Sequence, residues 1–302
     1  IWMPVTFAEE MSFEQFDVVL VDEAQDLNAM QIRLVHALTG KRIIAFGDPA
    51  QAIYLFRGAD EHAFDRLTST AQTLPLPISY RCGREIIAEA QRVVPDIQAA
   101  PHAIDGQVHE DIEYPQVLVD ARPGDFVLSR TNAPLIGICL DLLERNVGAT
   151  VAGSEIGRTL QQFIDSSGCR TTAELLRWLA TWLQDERDHC LPEYPDRYER
   201  ARDKVNCVTL LCRKCSTTQE VRRRISKLFR DDDSLSLVTC STVHKAKGLE
   251  RDRVWVVADT FGYPAAKDWQ NPREERNLWY VAVTRAKTDL FIVTTPVTTI
   301  MG

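Results

Sequence analysis

Short apolar runs separated by polar turns recur along the chain at the spacing of an alternating strand–helix protein. Residues 17–21 (Asp-Val-Val-Leu-Val) and 42–46 (Arg-Ile-Ile-Ala-Phe) read as two fully buried strands. Between them, residues 28–38 place Met30, Leu34, Val35 and Leu38 on one helical face, with Gly40 as the terminator. The alternation returns with a strand at 125–129, a helix at 134–145 and a strand at 147–152, then with strands at 235–240, 253–257 and 289–294. Such runs, bounded by helices, predict an α/β protein with mostly parallel sheet covered on both faces. Residues 158–230 break the rhythm and read as helical throughout, with Trp178 and Trp182 four positions apart. They are expected to interrupt the second α/β domain as an insertion. Residues 95–123 are rich in proline and are expected to hold loops and edge strands.

A length of 302 residues allows about two domains. Hydrophobic residues at 45% and charged residues at 26% are ordinary globular values, which excludes a disordered or collagen-like chain. A net charge of -8 argues against a protein coated in positive charge, although a nucleic-acid enzyme needs positive potential only along one cleft. The eight cysteines follow no regular framework and read as reduced thiols of an intracellular protein. Cys207, Cys212 and Cys215, with His189 or Cys190, superficially resemble zinc ligands. The apolar, helix-like run around Cys207 and the missing second Cys-x-x-Cys favour buried structural thiols. No apolar run long enough to cross a membrane and no basic-then-apolar leader is present, so no membrane partner is expected.

Candidate chemistry begins at Asp22-Glu23, at the carboxyl end of the first strand, where an α/β fold places its ligand. An Asp there can hold Mg²⁺ and a Glu can activate water; helix capping is the alternative use of such a pair. The pair lies in Val21-Asp22-Glu23-Ala24-Gln25-Asp26. It is followed by Gly47-Asp48-Pro49-Ala50-Gln51 and on to Tyr54-Leu55-Phe56-Arg57-Gly58-Ala59, then by Ser79-Tyr80-Arg81. Thr242-Val243-His244-Lys245-Ala246-Lys247-Gly248-Leu249-Glu250 and the run from Glu274 through Asn277, Trp279 and Tyr280 to Arg285-Ala286 complete the series. This ordered set resembles the motor motifs of UvrD/Rep/PcrA-type superfamily 1 DNA helicases, with details similar to the F-box DNA helicase branch. The resemblance covers residues from about 16 to 295 except most of the helical stretch.

The resemblance implies RecA-like, P-loop NTPase-type parallel sheets. The later part of a first motor domain would occupy residues 1–76. The second motor domain would occupy 77–157 and 233–302, split by a reduced accessory insertion at 158–232. It implies ATP and Mg²⁺ as cofactors and a 3′–5′ ATP-driven translocase on single-stranded DNA and single-strand/duplex junctions, in repair or related DNA transactions. In that scheme Asp22 coordinates Mg²⁺, Glu23 polarises the attacking water, and Gln25 and Gln51 sense the γ-phosphate. Tyr80 stacks on adenine, Arg81 and Arg285 reach the γ-phosphate, and Glu250 binds the ribose beside Gly248. Tyr54, Phe56, Arg57, Thr242 and His244 meet single-stranded DNA or the phosphate cleft, with an aromatic core role open for Tyr54 and Phe56 and a structural role open for His244.

One motif is absent. The only Gly-Lys pair, Gly40-Lys41, is followed by Arg42 and not by Ser or Thr, so no phosphate-cradling loop is encoded. With Ile1 as the first residue, the expectation is a motor lacking its N-terminal segment, supplied upstream in the parent or by a partner chain, and deficient in ATP hydrolysis alone. The rival expectation is a non-catalytic DNA-binding or regulatory subunit with a degenerate helicase fold. Residues 185–230 hold twelve basic and eight acidic residues, and Arg222-Arg223-Arg224 with Lys227 and Arg230 either meet phosphates or form a solvated helix face.

Overall fold

The computed structural model describes residues 14–54, 63–69, 71–189, 195–231, 235–262 and 272–294. The chain divides into two compact units that do not follow chain order. One comprises residues 1–80, 87–102 and 262–281, and the other residues 81–86, 103–261 and 282–302.

In the first unit, β1 (Phe16–Val21), α1 (Ala29–Leu38) and β2 (Thr39–Ala45) form a parallel strand pair with its crossover helix. A capping box starts α1, in which Asn28 Oδ1 accepts the Gln31 N–H at 2.9 Å and Gln31 Oε1 accepts the Asn28 N–H at 2.8 Å. Val21, Ala24, Ile32 and Leu67 make a small core, joined by Val19, Val35, Ile43 and Phe64. Leu67 comes from α2 (Ala63–Thr68). A short parallel pair, β3 (Ile78–Ser79) with β4 (Gln98–Ala99), lies on either side of α3 (Arg84–Ala90) in the chain.

Two expectations are corrected here. Neither strand is fully buried: Phe16, Val18 and Leu20 are 54%, 48% and 68% exposed while Val19 and Val21 pack inward, and at the second strand Ile44 and Phe46 are exposed while Ile43 and Ala45 pack inward. Strand side chains alternate between faces, and the core packs against one face only. Gly40 does not end the helix. The chain leaves α1 at Leu38, the Thr39 hydroxyl donates to the Val35 carbonyl at 2.7 Å, and Gly40 lies inside β2.

The second unit is built on six parallel strands in the order β5-β10-β9-β6-β8-β7. In chain order these are β5 (Gln107–Ile112), α4 (Tyr114–Asp120), β6 (Phe126–Ser129), α5 (Ala133–Glu144) and β7 (Ala149–Val151). Four helices follow: α6 (Ser154–Ser166), α7 (Thr172–Asp188), α8 (Pro195–Leu211) and α9 (Thr218–Leu228). Then come β8 (Val238–Thr242), α10 (Val243–Ala246), β9 (Arg251–Val257) and β10 (Ala286–Val293); between β9 and β10 the chain runs through α11 (Pro272–Val283), whose residues up to Val281 belong to the first unit. Every residue of β6 and β8 is buried, as expected for inner parallel strands with both faces covered. Residues 95–123 include the expected edge strand, β5, but also α4, which the prolines do not prevent because Pro115 falls in the helix's first turn. The strand expected at 235–240 begins three residues later.

The helices of 154–228 are not a free-standing bundle. Leu175, Val208 and Ile225 belong to the same apolar cluster as Val127, Val151, Cys240 and Trp255 of the sheet. A polar tie reinforces this. Asn132, at the start of α5, makes no side-chain cap of its own, and Asp203 of α8 accepts the N–H groups of Asn132 (3.1 Å) and Ala133 (2.9 Å) instead. Asp203→Ala is expected to lower unfolding free energy by about 2 kcal/mol, since bonds to a charged acceptor are lost and helix N–H groups are left unsatisfied. Chemical denaturation checks it, and an unchanged midpoint would rule out the tie.

Among the described residues no helix is long and apolar enough to cross a membrane, and no three His, Cys, Asp or Glu side chains are placed to hold a metal ion. Cys207 and Cys212 are buried free thiols, and burial pushes both thiols above their ordinary range.

Candidate functional site

In the first unit the carboxyl ends of β1 and β2 are held side by side. The Phe46 N–H donates to the Val21 carbonyl at 2.8 Å and the Ala24 N–H to the Phe46 carbonyl at 2.9 Å, extending the ladder past both strands. The chain then turns sharply at Glu23, whose φ of 49° and ψ of 43° place a non-glycine residue in the left-handed region. That conformation costs on the order of 1–2 kcal/mol, so the surrounding bonds must hold it.

A chain of hydrogen bonds runs from this turn. Gln25 Nε2 donates to Glu23 Oε2 at 2.5 Å, and Gln25 Oε1 accepts the Asp48 N–H at 3.0 Å. Asp48 then accepts from Gln51 Nε2 at 2.9 Å and from the Ala50 N–H at 2.9 Å. The structure therefore brings Glu23, Gln25 and Gln51 into one network and adds Asp48, which stood in the motif without a role. Gln25 is buried at 2% exposure, so its amide is locked by these partners. Gly47 makes the approach possible: a Cβ there would stand 2.6 Å from Gln25 Oε1 and 2.8 Å from Phe64. Asp22 is exposed, with Oδ1 accepting the Glu23 N–H at 2.9 Å.

Asn277 of α11 supports the same loop. Its buried amide donates to the carbonyls of Pro49 (3.1 Å) and Ala52 (2.9 Å). Sequence reasoning quoted Asn277 without assigning it, and its charged preceding turn, Arg273 to Arg276, gives no local signal of burial. Tyr54 is half-buried, Tyr80 is 81% exposed, and Phe56 and Arg57 lie outside the described residues.

The second unit gathers another set. Arg81 Nε donates to Glu250 Oε2 at 2.5 Å, and Lys287 Nζ lies 2.8 Å from Glu250 Oε1. The bond from Lys287, followed by that from Arg81, holds the Glu250 carboxyl below the usual carboxylate range. Lys287 was missed because it lies beyond the motif run. Arg285 is 1% exposed and donates to the Leu249 carbonyl at 3.1 Å and to the Thr284 hydroxyl at 3.2 Å. It thus anchors the turn that presents Glu250. Gly248 in that turn has φ of +83° with open space around it, so the torsion and not crowding demands glycine.

Thr242 ends β8 and is buried, and His244 is half-buried in α10. Their neighbour Lys245 pairs with Glu155 of α6 and lies 3.9 Å from Asp231, which also binds Ser154. Both ends of the four-helix stretch are therefore tied to the motif that carries Thr242 and His244.

Comparisons with known proteins match two segments of this chain to helicase domains. Residues 6–72 match the UvrD/REP helicase N-terminal domain and residues 219–296 match the UvrD-like helicase C-terminal domain. F-box DNA helicase 1 of Gallus gallus is 27% identical over 90% of this chain and 28% of its own length. F-box DNA helicase protein 1 of Schizosaccharomyces pombe is 27% identical over 93% of this chain and 34% of its own. DNA helicase II of Salmonella typhimurium is 38% identical over 27% of this chain and 12% of its own. The chain spans about a third of the length of the F-box relatives it matches. The parallel α/β architecture is that of a RecA-like helicase fold. With both family domains matched in order and the motif residues gathered at strand ends, the chain belongs to the UvrD-like superfamily 1 helicases.

Proposed function

We propose that this chain supplies the water-activating, phosphate-sensing and strand-binding residues of an ATP-dependent helicase that moves 3′ to 5′ on single-stranded DNA inside the cell. The observation that carries this reading is the Glu23–Gln25–Asp48–Gln51 network at the ends of two parallel strands. Glu23 would orient and deprotonate the attacking water. A γ-phosphate contact on Gln25 or Gln51 would be felt by the other through Asp48, since moving either amide disturbs the shared bonds.

Asp22 fits a magnesium site of the kind that uses one protein carboxylate plus substrate phosphates, because it is exposed at the strand end beside Glu23. The ion would supply charge neutralisation at the phosphates. Arg81 and Arg285 would stabilise phosphoryl charge, Glu250 would bind the ribose beside Gly248, and the exposed face of Tyr80 suits adenine. Strand contacts would fall to Tyr54, Phe56, Arg57, Thr242 and His244. The names of the relatives support DNA as the track.

Lys41 cannot serve as the phosphate-loop lysine, because it lies within β2 and pairs with Asp17 at 2.9 Å. A loop carried outside these 302 residues, in the same parent chain or in a partner, would complete the motor. The test is ATP hydrolysis, with and without single-stranded DNA, by this chain and by a protein that also carries a P-loop segment. The expected result is DNA-stimulated turnover only in the latter. Turnover by the chain alone would overturn the division of labour. DNA binding without turnover in either would favour the regulatory-subunit reading, which the missing loop supports.

A further inference from the structure

A groove of about 760 Å³ opens at the β7 edge of the six-strand sheet, walled by α5, the α8–α9 turn and α9. Six cations line it, Arg213, Lys214, Arg223, Arg224, Lys227 and Arg230, against two carboxylates, Glu144 and Glu220. The carboxylates leave most of this charge standing. Glu220 Oε2 accepts the N–H groups of Ser216 (2.7 Å) and Thr217 (3.2 Å) in the capping box of α9, and these bonds hold its carboxyl below the usual range. Glu144 pairs with Lys214 at 2.8 Å.

Two further cations have structural work. Arg213 lies 3.3 Å from Asp141, and Arg224 donates to the carbonyls of Leu211 and Arg213. Arg223, Lys227 and Arg230 remain. All three are exposed, and none is within ion-pair distance of a carboxylate among the described residues. Arg223 and Lys227 are four residues apart and share one helix face. The Arg230 N–H donates to the Val151 carbonyl at 3.1 Å, which fixes its backbone against the edge strand. Like charges held on one rigid wall repel one another until a polyanion fills the space between them.

We propose that this groove binds the sugar-phosphate backbone of duplex DNA without reading its sequence. Among the described residues its lining contains no aromatic side chain, so these offer no platform on which unstacked bases of a single strand could lie. Arginine and lysine heads with aliphatic walls of Leu140, Leu143 and Leu237 suit phosphates that remain in a regular backbone. The choice of DNA among polyanions rests on the helicase reading; the charge excess does not.

The experiment measures binding of the 302-residue chain to a short labelled duplex and to a labelled oligo-dT strand across a salt series. In Arg223→Gln/Lys227→Gln/Arg230→Gln, duplex affinity at low salt is expected to fall at least about tenfold. The slope of log K against log salt should become shallower by about 2–3, at roughly 0.9 per phosphate contact. Thermal midpoint and oligo-dT binding should be unchanged. A control, Arg158→Gln/Arg177→Gln/Arg187→Gln, removes the same charge from exposed helix positions outside the groove. Equal loss in the control, or no change in the groove variant, would overturn the proposal, as would displacement of duplex by polyglutamate of matched charge. If oligo-dT fails to bind the unaltered chain while groove-dependent duplex binding persists, the helicase reading fails and the groove stands.

Discussion

On the proposed reading, Glu23→Gln in a protein that also carries a P-loop segment is expected to lower kcat for ATP hydrolysis by about 10²–10⁴, the usual contribution of a general base. ATP affinity should stay within a few-fold. The substitution is nearly isosteric, and its side-chain oxygen can still accept the bond from Gln25 Nε2 that Glu23 Oε2 accepts now. The left-handed turn, the buried Gln25 amide and the link to Asp48 should therefore survive. What disappears is the ability to take a proton from water. Steady-state hydrolysis and equilibrium nucleotide binding separate the two effects. A parallel loss of binding would assign Glu23 to holding the turn, and turnover within tenfold of the unaltered protein would remove it as the base.

Asp125→Ala should destabilise the second unit by about 3–5 kcal/mol, because it strips one partner from a buried charge pair. Asp125 is 2% exposed, just ahead of β6. It accepts from Arg253 Nε at 3.1 Å and from Trp255 Nε1 at 2.8 Å. Without it the Arg253 guanidinium keeps the Phe291 ring, 4.7 Å away, the Trp255 ring at 5.7 Å and the Asp120 carbonyl at 3.1 Å, none of them a counter-charge. The indole N–H of Trp255, a fully buried side chain stacked on Phe291 at 3.9 Å, loses its acceptor. Asp125→Asn should cost less, since an amide oxygen can still serve Trp255 while the guanidinium loses its counter-charge. Urea denaturation of both variants checks the order. Equal and small losses would show that water or rearranged carbonyls satisfy these donors.

Much of the architecture was legible because its signals are local. The inner strands β6 and β9 read as apolar runs, since parallel strands covered on both faces need no polar alternation. The Asp-Glu pair at the end of β1 and the glutamines after it stood out as candidates by residue type and order alone. The strand β1 was misread because its apolar alternate positions look the same whether a second layer covers them or not. Only the fold shows Phe16, Val18 and Leu20 facing outward.

The long-range partners were not legible. Nothing local to Asp203 says that it caps a helix beginning at Ala133, and nothing local to Asn277 says that it binds carbonyls at Pro49 and Ala52. Lys287 reaches Glu250 and Lys245 reaches Glu155 only once strands and helices distant in the chain pack together. By itself the sequence determined the class of fold, the order of its strands along the chain and which side chains are candidates for the chemistry, because periodicity and side-chain type are properties of neighbouring residues. The tertiary structure decided which of those side chains are locked, which charges are neutralised and which three cations of α9 and its end have no ion-pair partner among the described residues at the β7 edge. Those outcomes depend on distances between residues far apart in the chain, which folding alone sets.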